Sequence, residues 1–142
     1  MNGKRYLLDT NAVIQLLAGN PSLRKMVEDS DFLAISVISK LEFLSYPDLT
    51  EDEKNAFSEL LEDLTVFDLM ASDSALIQEA VAMRIDGGLK LPDTVIAATA
   101  LVNGCEVITN DAHFAYQKRV QARTYELSIV ETANERNKPI DS

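Results

Sequence analysis

The chain has 142 residues, of which 46% are hydrophobic and 25% charged, a size and composition typical of one compact domain. A single cysteine, Cys105, and a single histidine, His113, exclude a disulfide framework and leave too few ligands for a Cys/His zinc site. The 23 acidic and 13 basic residues give a net charge of −10. Such a surface repels phosphate backbones, which argues against tight, nonspecific nucleic-acid binding without metal ions or a basic partner.

The N-terminal segment indicates where the protein resides. It reaches Asp9 after three apolar residues, so it lacks the long uncharged core of a signal peptide. No later stretch approaches the roughly 18 apolar residues of a membrane span. We therefore expect a cytoplasmic protein without a membrane anchor.

We also expect one domain over residues 1–130, followed by a polar, flexible tail over residues 131–142.

The spacing of apolar residues predicts strands that alternate with helices. Strands are expected at residues 5–8, 32–36, 65–69, 106–109 and 123–127. Capping residues and helical spacing predict six helices. The first begins after Asp9 and ends at Gly19, the second begins at Pro21, the third covers 37–44, and the fourth begins after Thr50. The fifth begins after Ser72 or Asp73 and ends at Gly87, and the sixth runs from Pro92 to Asn103. The 37–44 segment does not separate helix from strand cleanly. The alternation favours an α/β domain with a mainly parallel sheet.

Four acidic side chains stand out because of their neighbours. Asp9 and Asp111 follow the first and fourth predicted strands, and open α/β sheets bind ligands at the carboxyl ends of strands. Asp93 lies in the first turn of the helix that starts at Pro92, at the edge of its apolar stripe. Glu42 is bracketed by apolar residues, where a bare charge would be costly.

These acids could meet in one pocket, where their mutual repulsion would be severe unless divalent cations neutralised it. Carboxylate oxygens without thiolates or an imidazole pair suit the hard ions Mg²⁺ or Mn²⁺. Such ions can hold a phosphate and activate water. The pattern therefore indicates metal-assisted phosphodiester hydrolysis, with no protein nucleophile required.

Each acid also has an ordinary structural interpretation. Asp9 and Asp93 could cap helices or complement their N-terminal dipoles. Asp111 could be a turn residue. Glu42 could reach solvent or pair with a cation such as Lys40. Convergence of all four on one place would favour the chemical interpretation.

Four short motifs, taken together, resemble a known family. They are LLDTN (7–11), SKLEFL (39–44), KLPD (90–93) continuing into IAATA (96–100), and TNDAHF (109–114). In this order they are similar to the signature of PIN-domain nucleases, and most of all to VapC-type toxins of bacterial type II toxin–antitoxin pairs. Each motif alone is weak, but the resemblance runs from about Tyr6 to about Leu127.

The resemblance implies a three-layer PIN-like fold whose central, mainly parallel five-stranded sheet is flanked by helices. It further implies an acidic Mg²⁺ or Mn²⁺ pocket, cleavage of single-stranded RNA, homodimers, and inhibition by a cognate antitoxin protein. By this likeness Asp9, Glu42, Asp93 and Asp111 are the catalytic and metal-site acids, while Asn11 and Thr109 match polar positions that orient the pocket.

Two features depart from the family pattern. The acidic charge is unusual for a protein that holds RNA and indicates a local basic patch, for which the candidates are Lys40, Lys90, Lys118 and Arg119, although solvated surface charges are the more common case. His113 stands where many relatives carry another acid, which leaves direct ligation by Asp111 open. His113 itself could contact phosphate or act as an acid, but a surface or capping role is more common.

The leading hypothesis is a metal-dependent endoribonuclease that acts as a toxin. One alternative is an aspartate-based phosphotransfer domain with Asp9 as the phosphoacceptor, although the chain has Asp9-Thr10-Asn11 where the relevant phosphatases have Asp-x-Asp. Another is a non-catalytic binding module that keeps the fold. In that case the apolar helix face around Phe57 could pack against a partner, although packing in the core is the more common role.

Overall fold

The computed structural model of the protein describes residues 3–127. Its strands are β1 (Arg5–Leu8), β2 (Phe32–Ser36), β3 (Thr65–Phe67), β4 (Glu106–Ile108) and β5 (Ala122–Arg123). They form one sheet in the order β3-β2-β1-β4-β5, and every neighbouring pair is parallel. The carboxyl ends of all five strands therefore lie along one edge of the sheet.

Helices cover both faces of this sheet. Within the described range they are α1 (Thr10–Leu17), α2 (Pro21–Asp29), α3 (Val37–Leu44), α4 (Glu51–Glu62), α5 (Ser74–Asp86), α6 (Leu91–Val102) and α7 (Ala112–Tyr116). Because successive side chains of a strand point to opposite faces, Leu7 and Leu8 belong to different hydrophobic clusters. Leu7 packs with residues of α5 and α6, and Leu8 with residues of α1 and α4. The predicted three-layer fold is confirmed.

The helix starts follow the predicted capping chemistry. The Asp9 side chain accepts a hydrogen bond from the backbone N–H of Ala12 at the start of α1. Thr50 and Glu53 form a complete capping box at the start of α4. Phe57 of that helix is 1% exposed and stacks on Phe43 with ring centroids 4.2 Å apart. The apolar face around Phe57 therefore packs in the core.

Three strands are shorter than predicted, since β3 ends at Phe67, β4 at Ile108 and β5 at Arg123. For β3 and β5 the reason is that the neighbouring strand ends. β2 ends where α3 begins, and Ser36 pairs with Phe67 in the last register position, so residues 68 and 69 have no strand to join. On the other side β4 ends at Ile108. The Asn110 side chain then takes over the pairing: its amide nitrogen donates to the Tyr125 carbonyl at 3.1 Å, and its oxygen accepts from the Tyr125 N–H at 2.9 Å.

The sequence predicts one apolar stripe on α5, formed by Leu76, Ile77, Ala80, Val81 and Ile85, but the structure does not bury this stripe as a unit. Leu76 and Met83 are buried, whereas Ile77, Val81 and Ile85 are 41%, 52% and 80% exposed. These three residues line one apolar groove together with residues of α3 and α6.

Over residues 3–127, no helix has the length and apolar character needed to cross a membrane. The tail predicted for residues 131–142 lies outside the described residues.

Candidate metal centre

The ends of β1 and β4 place the first two functional side chains next to each other. Leu8 pairs with Ile108, so Asp9 and Thr109 leave adjacent strands at the same level. Asp9 is only 5% exposed, and its Oδ1 accepts from the Ala12 N–H at 2.8 Å. The hydroxyl of Thr109, itself buried, forms a hydrogen bond to the same carboxylate. Asp9 thus caps α1 and also lies at the carboxyl edge of the sheet.

Asp111 lies three residues beyond β4 and caps the short helix α7. Its Oδ1 accepts from the backbone N–H of His113 at 2.9 Å and lies 2.8 Å from His113 Nδ1. The Thr109 hydroxyl accepts a hydrogen bond from the Asp111 N–H at 3.0 Å. Thr109 therefore joins Asp9 and Asp111 through a single hydroxyl group.

The remaining two acids come from helices. Asp93 is half-buried in the first turn of α6, where the partial positive charge of the helix N-terminus favours a carboxylate. Glu42 lies on α3 and is exposed. The Thr10 hydroxyl donates a short hydrogen bond to Glu42 Oε1 and lies 3.1 Å from the Ser39 hydroxyl. The packing of α1 against α3 thus fixes the position of Glu42.

The pKa directions show that the acids share one region. Burial raises the pKa of Asp9 to about 6, against the hydrogen bonds from Thr109 and Ala12, and repulsion from Asp93 and Asp111 adds to the rise. Burial also raises the pKa of Asp93, with further repulsion from Asp111 and Glu42. The backbone hydrogen bond from His113 is the main reason why the pKa of Asp111 is lowered. The four predicted acids therefore interact electrostatically.

The donor chemistry of this acid cluster (Asp9, Glu42, Asp93 and Asp111) fits a hard divalent cation. All candidate ligands are carboxylate oxygens, and their mutual repulsion is of the kind that a bound cation relieves. As they stand, however, no three acidic, Cys or His side chains in the described part of the chain are arranged to hold one ion together. In the described part of the chain, Thr10 engages only the Oε1 atom of Glu42, and His113 only the Oδ1 atom of Asp111, so the second oxygen of each carboxylate is left for an ion. Shared coordination requires the acidic side chains to move closer together while these contacts are kept.

The supporting residues differ in what the structure shows for them. Thr109 contacts two of the acids, as described above. Asn11 is exposed in the first turn of α1, and its role in orienting the pocket stays a prediction. Sequence reasoning missed Thr10 and Ser39. Thr10 directly follows Asp9, but its contact with Glu42 depends on how two helices pack.

Comparison with known proteins identifies the class to which this fold and site belong. The PIN domain profile matches residues 6–120. The chain belongs to the PIN domain family.

Particular relatives refine this assignment. The chain is 33% identical over 119 residues to the ribonuclease VapC51 of Mycobacterium tuberculosis, a match that covers 78% of this chain and 82% of that protein. A toxin–antitoxin complex from Klebsiella pneumoniae contains a similar structure, with 28% identity, a TM-score of 0.68, and coverage of 81% of this chain and 94% of the other. VapBC2 from Rickettsia felis, bound to a promoter DNA fragment, has the same fold at 19% identity, with a TM-score of 0.75 and coverage of 85% and 98%. The resemblance to VapC-type toxins is confirmed.

Proposed function

We propose that this chain is a Mg²⁺- or Mn²⁺-dependent endoribonuclease that hydrolyses single-stranded RNA and acts as the toxin of a toxin–antitoxin pair. The observation that carries the proposal is the gathering of four acids at the carboxyl edge of the sheet. Asp9 leaves β1 beside the end of β4, Asp93 and Asp111 line one cavity, and Glu42 accepts a hydrogen bond from the residue after Asp9. Family membership and the likeness to a ribonuclease of VapC type support it.

In this proposal the four acids hold the cation. When bound, such an ion supplies positive charge that polarises the scissile phosphate and activates water for attack on phosphorus. We assign acceptance of the water proton to Glu42 or Asp93. Attack in line with the leaving oxygen gives a 5′-phosphate and a 3′-hydroxyl. Thr109 and Thr10 orient the acids and do not touch the reacting atoms.

The proposed partners are an antitoxin protein and a second copy of the chain. The solved Klebsiella pneumoniae assembly is a toxin–antitoxin complex, which supports an antitoxin as the inhibitor of this chain. The homodimer is carried over from the family resemblance. The cytoplasmic location stays a prediction.

The test is cleavage of a labelled single-stranded RNA by purified protein with Mn²⁺, with Mg²⁺ and with EDTA. We expect cleavage with either ion, no cleavage in EDTA, and loss of at least about a hundredfold in rate for Asp9→Asn and Asp93→Asn. Asp68→Asn removes the same charge from an exposed loop and is the matched control. Full activity of Asp9→Asn, or of the wild type in EDTA, would contradict the proposal.

Two further measurements separate the alternative functions. A folded wild-type protein that neither binds Mn²⁺ in calorimetry nor cleaves RNA would favour a non-catalytic binding module. A beryllofluoride adduct at Asp9, without RNA cleavage, would favour a phosphotransfer domain. Under our proposal Mn²⁺ binds and no such adduct forms.

A further inference from the structure

A cavity of about 400 Å³ opens beside the acid cluster. Its volume falls within the range of sites that hold small ligands or parts of larger ones. The loop between α5 and α6 and the start of α7 form its walls. The lining combines acidic and basic side chains, namely Asp93 and Asp111 with Arg84, Lys90 and His113.

The basic candidates from the sequence differ sharply in their surroundings. Arg119 already makes ion pairs with Glu79 at 3.2 Å and Asp86 at 3.1 Å. Lys90 lines the cavity, and over residues 3–127 its ammonium group makes no ion pair within 4.0 Å. Lys40 and Lys118 do not line it. Lys90 is therefore the candidate whose charge is available next to the acids.

His113 and Arg84 hold neighbouring parts of this cavity wall in place. The His113 ring is fixed by the 2.8 Å contact between Nδ1 and Asp111 Oδ1, and its side chain is 72% exposed. Because a carboxylate oxygen only accepts, Nδ1 carries the N–H of this contact, and His113 positions Asp111 rather than a ligand. Arg84 Nη1 donates to the Leu89 carbonyl at 2.7 Å, which ties down the loop residue directly before Lys90.

We propose that Lys90 forms a phosphate-binding subsite that holds the RNA phosphate next to the one being cleaved. The inference rests on the proposed nuclease function and assigns a substrate contact to a residue outside the acid cluster. A chain with net charge −10 repels RNA at long range. A phosphate that flanks the cleaved bond therefore needs a local cation, and the Lys90 ammonium group supplies a compact one. Contacts of this kind position the strand and do not read its sequence.

The test is binding of a fluorescent single-stranded RNA in Ca²⁺, measured by anisotropy for the wild type and Lys90→Gln. Lys25→Gln is the matched control, because Lys25 is 79% exposed on α2 and pairs with Asp29. We expect Lys90→Gln to weaken binding about tenfold, with the control unchanged. The salt slope of log Kd should fall by about 1 for Lys90→Gln. The loss should be equal for RNAs of different sequence.

Mn²⁺ calorimetry and cleavage kinetics on the same variants complete the test. Lys90→Gln should bind Mn²⁺ at least as tightly as the wild type and raise KM about tenfold with kcat little changed. Equal RNA affinity for Lys90→Gln and Lys25→Gln, or no RNA binding by the wild type, overturns the subsite. If the wild type binds RNA through Lys90 but does not cleave it with Mn²⁺, the subsite is supported and the nuclease proposal fails. The two failures are therefore distinguishable.

Discussion

The Asp9 carboxylate and the Thr109 hydroxyl are hydrogen-bonded across the adjacent ends of β1 and β4. A hydroxyl can donate one hydrogen bond and accept others at the same time. Thr109 uses both capacities, because it donates to Asp9 and accepts from the backbone N–H of Asp111 at 3.0 Å. One side chain thus sets the relative positions of two acids from different parts of the sequence.

The first prediction concerns this shared hydroxyl. Thr109→Val keeps the shape of the side chain but removes both hydrogen bonds, so we expect Mn²⁺ affinity to fall about 10- to 100-fold. The free energy of unfolding should fall by about 1–2 kcal/mol. Thr99→Val is the matched control, because the Thr99 hydroxyl is equally buried but donates to the Val95 carbonyl at 2.7 Å. Calorimetry should show an Mn²⁺ defect for Thr109→Val alone, and equal defects in both variants would count against the role of Thr109.

The second prediction concerns the pH dependence of stability without metal. Burial raises the pKa of Asp9 from its ordinary value of 3.8 to about 6, so the folded protein binds this proton more tightly than the unfolded chain. The resulting stabilisation is complete below pH 3.8 and is lost as pH rises through 6. The shift corresponds to about 3 kcal/mol at most.

Asp9→Asn removes this titration, and Asn can still cap α1. Urea unfolding in EDTA should therefore show that the variant gains stability relative to the wild type between pH 4 and pH 7.5. Asp68→Asn controls for the change in net charge. If the free energies of unfolding of the wild type and Asp9→Asn change in parallel with pH, burial does not raise the pKa of the Asp9 carboxyl group.

The third prediction concerns the contact that sequence reasoning missed. Thr10→Val removes the hydrogen bond to Glu42 and should weaken Mn²⁺ binding about tenfold by releasing that carboxylate. Thr10→Ser keeps the hydroxyl and should restore affinity to near the wild-type value. If Thr10→Ser is as defective as Thr10→Val in calorimetry, the hydroxyl is not the group that matters.

The fourth prediction concerns the loop that carries Lys90. Arg84→Met keeps most of the apolar stem but removes the hydrogen bond to the Leu89 carbonyl. We expect faster amide hydrogen exchange in the loop between α5 and α6 and a loss of about 1 kcal/mol in unfolding free energy. Arg24→Met, an exposed change on α2, should leave exchange in this loop unaltered. Unchanged exchange in Arg84→Met would mean that other contacts hold the loop.

Much of the fold followed from local signals in the sequence. Strand ends and helix starts are marked by residues whose chemistry acts within a few positions, as with Asp9 before α1 and the capping box of Thr50 and Glu53. The end of β3 was harder to predict, because it depends on where its neighbour β2 stops. The buried side of α5 was predicted correctly only in part, since the helix carries apolar residues on more than one side and only packing selects Leu76 and Met83.

In the candidate site, too, some features follow from short sequence patterns and others depend on how distant helices pack. The location of Asp9 and Asp111 just beyond the carboxyl ends of parallel strands, where ligand sites commonly lie, was predictable from the strand pattern. The contact of Thr10 with Glu42 was not, because no short-range pattern reports how α1 packs on α3. The cavity beside Asp93 likewise exists only once α5, α6 and α7 are assembled.

The strand order has a consequence for how the protein is made. β1 is the central strand and needs β2 on one side and β4 on the other, yet β4 is among the last elements of the described chain to leave the ribosome. Until β4 inserts, Asp9 lacks its Thr109 partner and Asp111 has no fixed place. A nascent chain therefore has no assembled acid cluster until β4 has been synthesised and inserted, so the site forms late in the folding of the described residues.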